Sequence, residues 1–342
     1  MTTVPLSHNG YTVGWVCALQ KEQTAATAML DDRHPDLPKP PIDQNAYTLG
    51  SIGDHNVVIA CLPQGRIGTT PAATVANQMI NTFPSIKFGL LVGIGGGIPP
   101  EVRLGDVVVS VPVNGYPGVV QWDFGKEEHG KFKRTGALNN PPMLLLTALS
   151  KMGTAHEMED PKISAYLEEM GRKWPKLSPK YLRSDKLQDV LFRADYGHIS
   201  RGYKRKATAL GDGDYNIDME ETCQHCDITK IMKQKSRDMK IHKGLIASGN
   251  RVIKDATFRD KIGEDLLSPV LCVEMEAAGL MNDFPCLVIR GISDYADSHK
   301  NKAWQEHAAA TAAAFAKELL SYVQATQVSQ ERPAKDVIIS QC

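Results

Sequence analysis

Two apolar runs in the C-terminal third, LSPVLCVEME (267–276) and PCLVIRGISD (285–294), constrain the fold more than any other part of the chain. Both have the length of strands and are continuously apolar, so each predicts a strand buried in a sheet. Both end in acid: Glu274 and Glu276 close the first, and Asp294 closes the second. Open α/β sheets place their chemistry outside the C-terminal ends of neighbouring strands. Asp and Glu are also rarely buried without a partner or a task. A helix cap or a surface charge accounts for one such acid; an ordered set of three points to a site.

The rest of the chain alternates in a compatible way. YTVGWVCAL (11–19) predicts a strand and QKEQTAATAML a helix, which the Pro-rich HPDLPKPPID ends. AYTLGSIG and HNVVIACL predict two strands joined by a hairpin turn at Gly53-Asp54. A Gly-rich turn over 64–69 leads into the helix PAATVANQMINTF, with Pro71 suited to an early helical position. KFGLLVGI and VVVSVPV supply further strands on either side of the loop GGGIPPEVRLGD. Alternation of this kind is the pattern of an α/β sheet protein. Between 113 and 240 it loosens: PPMLLLTALSKM, KISAYLEEMGRKW and SDKLQDVLFRA predict helices amid charged, turn-rich sequence, before a strand returns at HKGLIASG. The polar end, 324–342, is expected to be a mobile tail.

A chain of 342 residues can bury one large core or two modest ones. Its 39 basic and 39 acidic residues balance, so no global field favours nucleic acid or an anionic membrane. No run of ~18 apolar residues predicts a membrane helix, and MTTVPLSHNG lacks the basic and apolar regions of an export signal. Of the seven cysteines, Cys17, Cys61, Cys272 and Cys286 lie inside apolar strand-like runs. They read as buried thiols of a reducing compartment, and a cytoplasmic protein is expected.

Met275-Glu276-Ala277, followed by Arg290-Gly291-Ile292-Ser293-Asp294, resembles the two signature segments of the nucleoside phosphorylase and methylthioadenosine/adenosylhomocysteine nucleosidase superfamily. The longer wording EMEAAGLMNDFPCLVIRGISDYADSHKNKAWQ is similar to fungal members, including effector domains at the N-terminus of NLR-like proteins. The resemblance implies an α/β fold: a single domain over 11–323, with a central mixed, twisted β-sheet flanked by helices and a large insertion at about 113–240. It also implies roles. Glu276 would hold the ribose hydroxyls, Met275 would pack on the sugar face, and Glu274 would stand beside them. Asp294, oriented by Ser293, would give a proton to the purine N7. Glu22, in Ala18-Leu19-Gln20-Lys21-Glu22, matches the A-M-x-x-E whose Glu activates water. The glycine loop at Ile94, Gly95 and Gly96 would face ribose and base, and Val252 and Ile253 stand where nucleosidases commonly stack an aromatic on the base.

Phosphorylases of that superfamily fix phosphate with arginines, whose fork binds it bidentately. Their patterns place one in G-D/N-P-x-R and another before V-G-S/T-x-G. Here the first loop reads CALQKEQ, and Leu91 stands before Val92-Gly93-Ile94. The resemblance therefore implies a purine nucleosidase that hydrolyses the N-glycosidic bond of nucleosides, or of nucleotides such as ATP. Arg66, in the Gly-rich QGRIGTT, is a candidate phosphate ligand, so a phosphate-dependent phosphorylase stays as the alternative. A non-catalytic nucleotide-sensing module is a third reading. The expected partner is a small-molecule purine nucleoside or nucleotide, with a homodimer by analogy and with no nucleic acid, membrane, cofactor or metal.

Three further motifs bear on function. The run at 93–97, GIGGG, fails as a dinucleotide fingerprint because Ile98 takes the place of the last glycine and Pro99-Pro100 block a following helix. Cys223-Gln224-His225-Cys226 is a C-x-x-C pair. Zinc would need two more ligands, for which only irregularly spaced candidates such as His198 and His242 offer themselves, so two thiols without metal are expected. Basic runs at 201–206 and 230–243 read as solvated faces or as a lip for substrate phosphates.

Overall fold

The computed structural model describes residues 6–199, 223–264 and 266–339, so the basic run at 201–206 lies outside the described residues. The strands are β1 (Val13–Cys17), β2 (Asp32–Arg33), β3 (Tyr47–Ile52), β4 (His55–Cys61), β5 (Phe88–Gly97), β6 (Val107–Ser110), β7 (Val119–Gln121), β8 (Gly125–Glu128), β9 (Lys131–Arg134), β10 (Ile241–Ser248), β11 (Val270–Glu274) and β12 (Cys286–Asp294). The helices are α1 (Gln20–Ala28), α2 (Thr69–Thr82), α3 (Met143–His156), α4 (Ile163–Lys173), α5 (Ser178–Tyr181), α6 (Ala256–Lys261), α7 (Gln305–Ser321), α8 (Ala325–Gln330) and α9 (Ala334–Ile339).

The central sheet is mixed, as expected. β4, β1, β5 and β12 run parallel, with Trp15 opposite Ile59 on one side and Leu90 on the other. β6 is antiparallel to β12 and parallel to β10, which is parallel in turn to β11. β11 then meets the end of β5 antiparallel, pairing Cys272 with Gly97 and Val273 with Gly96. That last pairing closes β5, β12, β6, β10 and β11 into a barrel-like ring, while β4, β3 and β2 extend from β1 as an open wing. Closure draws together the C-terminal ends of β5, β11 and β12, where the acids stand. The predicted hairpin is present: β3 and β4 pair Ile52 with His55 across Gly53-Asp54, and Gly53 has φ +54°.

The Ala-rich α7 packs directly on β12. A Cβ on Gly291 would lie 1.8 Å from the carbonyl oxygen of Ala308, so this approach requires glycine at that point. Ala308, Ala312, Phe315 and Leu319 are fully buried there. α3 and α4 pack on the other side of α7, burying Leu145, Leu149, Met152, Ile163 and Met170 in the same core. The 113–240 segment thus completes the core, and its β7 joins the sheet beside β10. Cys17, Cys272 and Cys286 are buried thiols, and burial pushes Cys61 and Cys286 up to about 12, as expected of apolar packing groups.

Two expectations fail here. SDKLQDVLFRA is not helical, because tertiary partners take its backbone groups: Met232 N donates to Leu191 O (2.8 Å), Arg193 N to Lys230 O (3.0 Å) and Trp304 Nε1 to Gln188 O (3.1 Å). Of 324–342, expected as a mobile tail, the described residues 324–339 carry α8 and α9 instead. Val328 and Ala334 are buried, and Ala334 N donates to Ile86 O at 2.7 Å. Val328 of α8 and Ala334 of α9 enter separate apolar cores, and Ile338 packs beside the second. Among the described residues no helix is long and apolar enough to cross a membrane.

Candidate active site

A cavity of about 1030 Å³ opens at the ends of β1, β5, β11 and β12. Glu22, Ile94, Gly95, Gly96, Val252, Ile253, Glu274, Met275, Glu276, Ser293 and Asp294 all line it. Arg66 does not: its neighbours Gly65 and Ile67 reach the cavity while its own side chain is exposed. The expected phosphate ligand is therefore a surface arginine, and the Gly-rich loop contributes backbone instead.

Glu22 follows β1 in the first turn of α1 and folds back over the strand end. Its Oε2 accepts from Ala18 N (2.7 Å) and Leu19 N (2.9 Å), and its Oε1 accepts from Ile94 N (2.8 Å). Burial raises its pKa above the ordinary carboxylate value, opposed by the charge of Arg290 and by these three amides.

Arg290 is the hub. It is fully buried in β12 and ion-pairs with Glu274, while its Nη2 lies 3.4 Å from Glu276 Oε2. A Cβ on Gly93 would lie 2.4 Å from Arg290 Nη1 and 2.5 Å from Glu22 Oε1, so the glycine makes room for both groups to meet over β5. Those acids in turn hold the guanidinium well above its ordinary pKa against the opposing pull of burial. An arginine inside an apolar strand is a sequence signal for such a hub, since Arg is almost never fully buried unless paired.

Glu274 and Glu276 differ in what remains free. Glu274 accepts from Glu276 N and Ala277 N at 3.1 Å besides pairing with Arg290, so its carboxylate is committed to holding the turn after β11. Glu276 accepts from Gly68 N at 3.2 Å and faces the cavity. Burial, with the nearby charges of Glu274 and Glu22, pushes its pKa up to about 7 against the pull of Arg290.

Asp294 ends β12 and is 5% exposed. Its Oδ1 accepts from Ala296 N at 2.9 Å, and its Oδ2 accepts from Ser293 Oγ at 2.8 Å and lies 3.2 Å from Lys300 Nζ. A side chain at Gly96 would press on this carboxylate, its Cβ lying 3.0 Å from Asp294 Oδ1. Lys300 was not singled out from the sequence. It belongs to a basic rim with Lys21, Arg251, Lys254 and Lys302, all lining the cavity. These residues come from the first turn of α1 and from two separate loops, so no run of sequence announces them.

Outside the cavity, the two histidines considered for the C-x-x-C pair part company. His242 does not approach it and bonds instead to Asp106 Oδ2 at 2.8 Å. His198 does approach it, and so does His299, which was not among the sequence candidates.

A ring of mixed sheet whose strand ends gather acids around one cavity defines an α/β protein with a candidate active site. A family model described as the phosphorylase superfamily matches residues 188–323. The chain is 45% identical, over 93% of its length, to a nucleotide-binding leucine-rich repeat (NLR)-like protein of Hyaloscypha variabilis, of which it spans 30%. It is 29% identical, over 33% of its length and 39% of the relative, to a 5′-methylthioadenosine/S-adenosylhomocysteine nucleosidase of Mycobacterium bovis. The solved nucleosidase of Colwellia psychrerythraea in complex with adenine shares the fold at a TM-score of 0.55 and 18% identity, covering 93% of this chain and 98% of that one. The match to the phosphorylase superfamily thus takes in β11 and β12, whose ends line the cavity.

Proposed function

We propose that this chain is a purine N-glycosyl hydrolase, acting on purine nucleosides and on their 5′-phosphorylated forms. The observation that carries the reading is that Glu22, Glu276 and Asp294 line one cavity, with Arg290 buried behind two of them. Asp294 supplies the proton to the purine N7, so that the electron pair of the C1′–N9 bond leaves on a neutral base. Lys300 stabilises the carboxylate left behind. Glu276 accepts from the ribose hydroxyls, and its negative charge favours the cationic sugar of the transition state. Glu22, whose charged form three amides and Arg290 favour against burial, takes the proton of a water that attacks C1′ from the face opposite the base. Five basic residues on the cavity lining favour substrates with an anionic 5′ group.

The 45% identity to an NLR-like protein favours placing this chemistry within a larger receptor. Chromatography of a purine nucleoside and nucleotide panel, incubated with and without phosphate, tests the reading. Free base with ribose or ribose phosphate, formed without added phosphate, supports hydrolysis. Ribose 1-phosphate with a phosphate-dependent rate replaces it with the phosphorylase, and no released base leaves a nucleotide-sensing module.

A further inference from the structure

The C-x-x-C segment lies far in sequence from His198 and His299, yet all of them converge beside the loop that follows Asp294. Cys226 Sγ is 3.3 Å and Cys223 Sγ 3.8 Å from His198 Nδ1. The ligand atoms of His198, Cys226 and His299 all lie within 4.8 Å of one another. In a tetrahedral zinc centre with Zn–S of ~2.3 Å and Zn–N of ~2.0–2.1 Å, neighbouring S and N ligands stand roughly 3.5 Å apart. The two S···N separations bracket that edge.

A second observation is independent of the cysteines. His299 Nε2 is buried and has no hydrogen-bond partner. An orphaned buried ring nitrogen is costly and rare in a folded protein. Its ring is nonetheless held firmly. Phe192 stacks on it with centroids 3.9 Å apart and planes 13° apart, and its backbone N donates to Asp297 Oδ1 at 2.9 Å. The other ligands are oriented too: His198 N donates to Ser298 Oγ (2.9 Å), and Asp227 N, directly after Cys226, donates to Tyr196 Oη (2.7 Å).

We propose that His198, Cys223, Cys226 and His299 form a structural zinc site. Two thiolates and two imidazoles are a donor set that selects zinc, and four protein ligands leave no open position for catalysis. The metal ties three chain segments together at the base of the 294–302 loop. Lys300, the residue after His299, is the one that pairs with Asp294 at 3.2 Å. The four ligands are thus positioning residues for that loop, and the proposal stands whatever reaction the cavity performs.

The test begins with the full chain purified without chelator and measured for metal by plasma mass spectrometry. The expected result is about one zinc per chain, released to a colorimetric chelator when a mercurial blocks the thiols. Cys226→Ser and His299→Ala should lose the metal, whereas Cys61→Ser should keep it. Replacement by cobalt should give a thiolate charge-transfer band and the intense visible bands of a tetrahedral site. Zinc far below stoichiometry after growth with added zinc, a cobalt spectrum without thiolate bands, or a native mass showing Cys223 and Cys226 joined as a disulfide would each overturn the site. The release and cobalt measurements use the unmodified protein, so a variant that fails to fold does not shelter the proposal.

Discussion

Two buried polar clusters flank the loop that follows β12, and they are built on opposite terms. The carboxylate cluster is charge-paired from within: Arg290 pairs with Glu274 and Glu276, and backbone amides donate to Glu22 and Glu274, although Arg290 Nε and Nη1 have no hydrogen-bond partner. The thiol–imidazole cluster has shape without closure, since His299 Nε2 is left without a partner among packed rings. Opposite charges hold the first cluster together before any ligand arrives. The second has no such pairing, and a resident metal would supply it.

The largest effect should separate chemistry from scaffolding. Asp294→Asn is expected to lower purine release by ~10²–10⁴-fold while leaving zinc content and melting temperature close to those of the parent. Steady-state assays alongside metal analysis check this, and near-parental turnover would remove Asp294 from the mechanism. Arg290→Met should act on stability. It strands buried carboxylates, at a cost of about 3–5 kcal/mol in denaturant unfolding, and an unchanged midpoint would mean that the acids do not depend on the hub.

The pH profile comes next. Glu276 is pushed up to about 7, and its ionised form is the one that accepts from ribose hydroxyls. Its charged fraction rises with pH, so kcat/KM should drop roughly tenfold between pH 8 and pH 6, and the step should vanish in Glu276→Gln measured at its residual rate. Smallest is Lys300→Met. Its ion pair with Asp294 is partly exposed, so the change should cost at most about 1 kcal/mol, or about fivefold in rate. A loss as large as that of Asp294→Asn would make Lys300 the proton-handling group.

Much of the first cluster was legible in the residue order. β11, β12 and their terminal acids are local patterns: an apolar strand run and a carboxylate at its end are neighbours in sequence as well as in space. Glu22 was legible for the same reason, three residues into the turn after β1. Arg290 was visible as a charge inside an apolar strand, but the acids it would join were not, because β5, β11 and β12 meet only through closure of the ring.

What only the tertiary structure decided is whatever depends on partners distant in sequence. Residues 184–194 carry helical spacing, yet their backbone hydrogen bonds go to 230–232 and Trp304. The polar end of the chain docks because Val328 and Ala334 find a core already built. Arg66 sits in a loop aimed at the site, but the loop's own path turns its side chain to solvent. His299 joins Cys226 and His198 although some seventy residues or more separate it from each. Periodicity and terminal residues are set by local sterics and hydrogen bonding, which a sequence carries directly. Convergence of loops is set by how the sheet closes and how α7 packs on it, and those are properties of the whole chain.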